Sequence, residues 1–170
     1  MFIIMGLPRS RTAWLSNFLS YDGLFCYHEG LNGCKTLKDY FLKLGKNIGD
    51  ANTGLYQFNF EKYLFSNTKI IVIDNDVEPA IEYARQTYGT DITTDIIKWK
   101  KRLDNIKGLH IPFHDIDINL ETIWTYVTDI PFDGERAEVL KGLNIQVKEP
   151  YEIDIESYEQ LVESEGGKIF

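Results

Sequence analysis

Four consecutive residues carry the densest chemistry in the chain: Arg9, Ser10, Arg11 and Thr12, set between Gly6-Leu7-Pro8 and Ala13-Trp14-Leu15. Two guanidinium groups and two hydroxyls match phosphate or sulfate oxygens, and a turn between a strand and a helix aims backbone N–H groups at the same small volume. The common GxxxxGK[ST] phosphate loop is ruled out, because its second glycine and its lysine have no counterpart here. The plainer alternative is a helix start that Ser10 or Thr12 merely caps, with both arginines in solvent. A second cluster, Tyr27-His28-Glu29, offers candidates for a general base in His28 and Glu29; its plainer reading is a solvated acid beside a hydrogen-bonding histidine. His110, His114 and Asp115 suggest a metal set on paper, but Pro112 opposes the helix that would align them, and no metal is expected. Lys98-Trp99-Lys100-Lys101-Arg102 reads as a solvated helix face, or as a landing place for an anionic acceptor.

These groups need a scaffold, and the hydrophobic pattern supplies one. Met1 to Met5 is an apolar strand that ends at Gly6 and Pro8, and a helix follows from Thr12 to about Ser20. Leu24–Tyr27 is a short second strand, Thr36 caps a helix ending near Gly45, and Asn47–Gly54 reads as a polar loop. Leu55–Phe65 is a weaker apolar segment, helical at its end. Lys69–Asp74 is a continuous β-branched strand expected beside the first, and Asp76 caps a helix that stops at Gly89. A helix from Thr94 or Asp95 through Leu103, a fourth strand at Leu109–Phe113 held to an edge by Pro112, and helices at Leu120–Val127 and Asp133–Leu143 complete the series. Strands alternating with helices predict an α/β three-layer sandwich around a mostly parallel sheet of four or five strands. In such a sheet Glu29 and the Arg9 turn both fall at the C-terminal edge, where open α/β proteins place ligands.

Gly6-Leu7-Pro8-Arg9-Ser10-Arg11-Thr12-Ala13-Trp14-Leu15 resembles the first phosphosulfate-binding motif of the sulfotransferases, P-loop-type proteins in which roughly P-[KR]-S-G-T follows the first strand. Arg11 stands at the family's glycine position, where it either crowds the turn or adds a cationic contact. A second stretch, Ile130-Pro131-Phe132-Asp133-Gly134-Glu135-Arg136 onward to Gln146, is similar to the last helix region of small bacterial and phage sulfotransferase-like proteins.

The resemblance implies a sulfuryl transfer from the adenine nucleotide PAPS, leaving PAP, to a small hydroxylated acceptor. It assigns Gly6, Pro8, Ser10, Arg11, Thr12 and Ala13 to the donor's phosphosulfate, Arg9 to the leaving phosphate, Trp14 to stacking on adenine and Glu29 or His28 to the base. One half of the donor site departs from the family pattern. Asp74 or Asn75 occupies the place of the arginine that meets the 3′-phosphate, and Glu82 that of its serine. A carboxylate about 4 Å from a phosphate charge costs roughly 4 kcal/mol at an effective dielectric near 20. Either another cation, such as Arg85, meets that phosphate, or the donor is not PAPS. Two alternatives follow: a non-catalytic nucleotide- or partner-binding relative, and a kinase-like enzyme using ATP.

The chain's 170 residues suit one domain, with residues 1–148 as its body and 149–170 as an acidic extension, docked or partly disordered. Residues 149–165 hold seven acids and no Lys or Arg, which leaves 19 acids against 18 bases elsewhere. A near-neutral body argues against general nucleic-acid binding. Cys26 and Cys34 read as reduced thiols. No apolar stretch reaches membrane-spanning length and no leader pattern opens the chain, so a cytoplasmic protein without membrane contact is expected.

Overall fold

Residues Phe2–Gly6 form β1, buried along its whole length because its side chains alternate between two separate cores. Phe2 and Ile4 face one, Ile3 and Met5 the other. β4 (Lys69–Asp74) repeats the division, with Ile71 and Ile73 on the first side and Ile70 and Val72 on the second. The structure, a computed structural model, describes residues 1–32, 34–89, 91–145 and 168–169. The acidic segment 149–165 lies outside the described residues.

The sheet has five strands, all parallel, in the order β2-β3-β1-β4-β5, where β2 is Phe25–His28, β3 Ile48–Asn52 and β5 Leu109–Pro112. Helices α1 (Thr12–Phe18), α5 (Leu120–Val127) and α6 (Gly134–Lys141) pack on the first core. Helices α2 (Leu37–Lys43), α3 (Val77–Tyr88) and α4 (Thr93–Leu103) pack on the second. The chain is therefore an α/β protein with helices on both faces of a parallel sheet. β4 lies beside β1 as its pattern predicts, and β5 is an edge strand that ends at Pro112. A two-residue strand, β6 (Leu143–Asn144), pairs antiparallel with β7 (Lys168–Ile169). Among the described residues no helix is long and apolar enough to cross a membrane. Cys26 and Cys34 are free thiols.

The largest departure from the sequence reading is β3. The segment expected as a polar loop, Asn47–Gly54, is an interior strand between β2 and β1. Its polar residues Asp50 and Asn52 are fully buried and hydrogen-bonded: Asp50 accepts from Gly30 N, Tyr40 Oη and Asn52 Nδ2, and Asn52 Oδ1 accepts from Gly54 N and Leu55 N. Gly49 lies under the ring of Phe2, in space that any side chain at this position would have to share. Leu55–Phe65 contains two 3₁₀ turns, Leu55–Gln57 and Glu61–Tyr63, in place of a helix. Asp76 stands at the N-cap of α3 without a side-chain capping bond, and its own N–H donates to Asn75 Oδ1.

Connections from the sheet open a crevice at the C-terminal end of β1. The chain leaves β1 for α1 on one face, whereas the segments after β3 and β4 pass to the other face. Loops diverging from neighbouring strands leave room for a ligand between them.

Candidate functional site

Gly6 shapes the turn. A Cβ there would come within 2.7 Å of Ser10 Cβ and 2.9 Å of Ser10 Oγ, so glycine lets Ser10 fold back against the strand end. Two non-glycine residues of the turn take left-handed backbone, Arg9 at φ 73° and Arg11 at φ 56°. Each such residue costs on the order of 1–2 kcal/mol, and strain of this kind concentrates at functional sites. Arg11 thus keeps the backbone conformation that a glycine would adopt freely at its position. Its guanidinium leaves the turn sideways, lying 4.4 Å over the Trp14 ring with Nη1 2.9 Å from Asp117 Oδ1. Arg9 is exposed and has no carboxylate partner among the described residues, and its carbonyl accepts from Asn75 Nδ2 at 3.3 Å.

The capping alternative is not what the turn does. The N-cap of α1 is Arg11, and no side chain caps that end. Ser10 Oγ is buried and lacks a hydrogen-bond partner among the described residues. Thr12 Oγ1 lies 3.4 Å from His28 Nε2, which joins the turn to the end of β2.

Glu29 follows β2 in left-handed backbone, φ 54°, and its Oε1 accepts from Thr53 N at 2.9 Å and Thr53 Oγ1 at 2.7 Å. Burial raises its pKa, and the two Thr53 bonds oppose that rise. Burial alone lowers His28 to about 4, so its imidazole is neutral near pH 7. The 3.8 Å approach of His28 Nε2 to Glu29 Oε1 is therefore a polar contact and not an ion pair.

All of this opens into one cleft of about 960 Å³. It takes in Pro8 through Trp14 together with His28 and Glu29, so the structure brings the two predicted clusters together. Residues that sequence reasoning missed complete the walls, Thr53 after β3, Tyr83 on α3, Asp117 before α5 and Lys141 at the end of α6, together with Trp99 of the basic run on α4. No spacing rule links these positions, which meet only through the topology. Gly6 supports the cleft from behind Ser10 and does not line it.

Several predicted residues stand elsewhere. Trp14 reaches the cleft only by its edge: it is 4% exposed, stacks on Phe18 and donates Nε1–H to Leu140 O at 3.0 Å, leaving no open face for a base. Arg85 is outside the cleft lining and pairs with Glu82 on the exposed side of α3 at 2.9 Å. Glu82 does not line the cleft either. Asp74 turns away toward His110 Nδ1 at 3.1 Å and Lys100 Nζ at 3.6 Å. The repulsion expected from Asp74 and Glu82 at a bound phosphate has no geometric basis. The cation expected from Arg85 is likewise not at the cleft, where Lys141 stands instead. Lys100 of the basic run pairs with Asp74 and Asp104, and Arg102 pairs with Glu61, so these two cations serve the outer surface. His110 is committed to Asp74 and to Ile106 O, and no metal-ligating group of three comes together among the described residues.

No protein-family model matches the chain, no curated protein matches it, and no solved structure matches it.

Proposed function

We propose that the chain is a sulfotransferase-like enzyme of P-loop type, binding a phosphosulfate nucleotide at residues 6–14 and using Glu29 as base toward a small hydroxylated acceptor. One observation carries this reading: a single cleft holds the Arg9 guanidinium and the buried Ser10 hydroxyl, neither with a side-chain partner among the described residues, and the Glu29 carboxylate. A buried hydroxyl without a partner is costly unless a ligand oxygen completes it, and sulfate or phosphate oxygens do so. The donor supplies an activated sulfuryl group when bound. Glu29 takes the acceptor's O–H proton while the acceptor oxygen bonds to sulfur. The bridging S–O bond breaks with its electron pair on the phosphate oxygen, whose charge Arg9 neutralises. Glu29 suits that task because burial lifts its affinity for a proton. Lys141 lines the cleft while paired with Glu138, and meeting a second phosphate would mean exchanging that partner for it.

Calorimetric titration with PAP tests the donor site. The wild type is expected to bind, and Arg9→Ala to bind about 10- to 100-fold more weakly, the worth of one charge-assisted pair. Absence of any thermal shift with millimolar PAP, PAPS and adenosine phosphosulfate would sink the proposal. Gly6→Ala is expected to abolish PAP binding with the protein still folded, since its methyl displaces Ser10. A second reading, a nucleotide-binding relative without transfer, is favoured by the commitment of Glu29 Oε1 to Thr53. Glu29→Gln separates the two: loss of sulfuryl transfer with PAP binding retained supports the enzyme.

A further inference from the structure

Asp50 is fully buried in an interior strand, outside the cleft lining, at a position where a branched apolar residue would be the ordinary choice. Burying a carboxylate is costly unless hydrogen bonds replace water. Its oxygens are fully engaged, Oδ1 by Gly30 N at 2.8 Å and Oδ2 by Tyr40 Oη at 2.8 Å and Asn52 Nδ2 at 3.1 Å. Asn52, oriented by that bond, uses its own Oδ1 to accept from Gly54 N and Leu55 N, both at 2.7 Å. The turn so formed presents Thr53 N and Oγ1 to Glu29. On the other side Gly30 is the residue next to Glu29, and Glu29 N donates to Ala51 O at 3.0 Å.

We infer that Asp50 is the positioning residue of the Glu29 loop, fastening through Gly30 and through the Asn52–Thr53 turn the two segments that hold the Glu29 carboxylate in its left-handed, strained place. The inference rests on the reading of Glu29 as the base. It also explains why an expensive buried acid occupies the sheet: an apolar residue would leave the Gly30 N–H unpaired and Asn52 without its orienting bond. Tyr40 and Lys43 from α2, Cys26 and His28 from β2, Tyr56 after β3 and Glu29 itself are titratable groups around this cluster, with Lys43 Nζ donating to Gly30 O at 3.2 Å and His28 Nε2 3.8 Å from Glu29 Oε1. Glu29 and Asp50 are the two acids among them, and the charge of Glu29 disfavours ionisation of Asp50.

The test is NMR on the full chain, reading the Glu29 side-chain carboxyl carbon through a pH titration and the Thr53 amide by hydrogen exchange. In Asp50→Asn, which still offers an oxygen to Gly30 N but turns an amide nitrogen toward Asn52 Nδ2, the Thr53 turn is expected to loosen, and the Glu29 midpoint to rise as the two Thr53 bonds that hold it down weaken. In Asp50→Leu, Thr53 exchange is expected to accelerate at least tenfold; Asn52→Ala, which cuts one of the two legs, should do the same where the leucine variant fails to fold. Thr53 protection unchanged, or a Glu29 midpoint that does not rise, in a folded Asp50→Leu or Asn52→Ala overturns the inference. PAP titration of the same wild-type sample reports on the donor site independently: no binding with the coupling intact overturns the transferase reading and leaves the role of Asp50 standing.

Discussion

Arg136→Ala is expected to lower stability by about 3 kcal/mol, the loss typical of removing one partner from a buried, hydrogen-bonded charge. The side chain is buried beneath α1, with Nη1 donating to Phe18 O at 2.8 Å and Nη2 to Asn17 O at 3.1 Å. These are terminal carbonyls of α1, which carry its negative dipole end; Asn17 O also accepts from Ser20 N at 3.2 Å. The guanidinium also lies 4.3 Å over the Tyr21 ring. Truncation therefore strips two carbonyls of their cationic donor and leaves a cavity between α1 and α6. For a chain of this length the loss corresponds to a fall in melting temperature of roughly 6–12 °C. Urea unfolding measures it, and a change below 1 kcal/mol would contradict the assignment. Arg136→Lys keeps the charge but not the fork, so it should recover only part of the loss.

That arginine gives physical content to the late motif. In the stretch from Ile130 onward, Asp133 caps α6 by accepting from Arg136 N at 2.9 Å and also takes the Tyr21 hydroxyl at 3.1 Å. Asp133 and Arg136 together bolt α6 to the helix that carries the Arg9 turn. The same helix delivers Lys141 to the cleft, so one motif serves both packing and site.

Legibility in the sequence followed the kind of force that fixes each element. β1, β4 and β5 were readable because apolar burial shapes them, and a run such as Lys69-Ile70-Ile71-Val72-Ile73-Asp74 has no other stable home. α5 matched its expected limits, and Thr36 caps α2 by accepting from Asp39 N. β3 was not readable, because Ile48-Gly49-Asp50-Ala51-Asn52 has the composition of a loop and becomes a strand only when Tyr40 and Gly30 satisfy Asp50. Of the site, the strand-turn-helix residues and His28–Glu29 were legible as contiguous motifs. Thr53, Tyr83, Asp117 and Lys141 were not, since each is unremarkable in its own segment and acquires its place from strand order. The available signal for Thr53 was Asn52-Thr53-Gly54, a sequence suited to a side-chain-stabilised turn.

Asp50 and His28 should make the stability of the wild type nearly independent of pH between about 4 and 6, while each single variant shows a steep slope of opposite sign. Burial raises Asp50 from 3.8 to about 6, against the pull of its bonds from Gly30, Tyr40 and Asn52. In that window the folded state holds a proton that the unfolded chain has released, so this acid makes stability fall as pH rises. Burial lowers His28 from 6.5 to about 4, so here the unfolded chain holds the extra proton and stability rises with pH. Shifts of about two units or slightly more correspond to about 3 kcal/mol each, large enough to be unmistakable alone and close enough to cancel together. Asp50→Asn is therefore expected to gain stability steadily from pH 4 to 6.5, and His28→Gln to lose it from pH 4 to 6, with Glu29 adding to that loss because its pKa is also raised. Urea midpoints collected at half-unit intervals measure both slopes. Parallel profiles for the two variants would show that these groups titrate alike in the folded and unfolded chain, and would remove the electrostatic basis for a neutral histidine and a protonatable acid beneath the Glu29 loop.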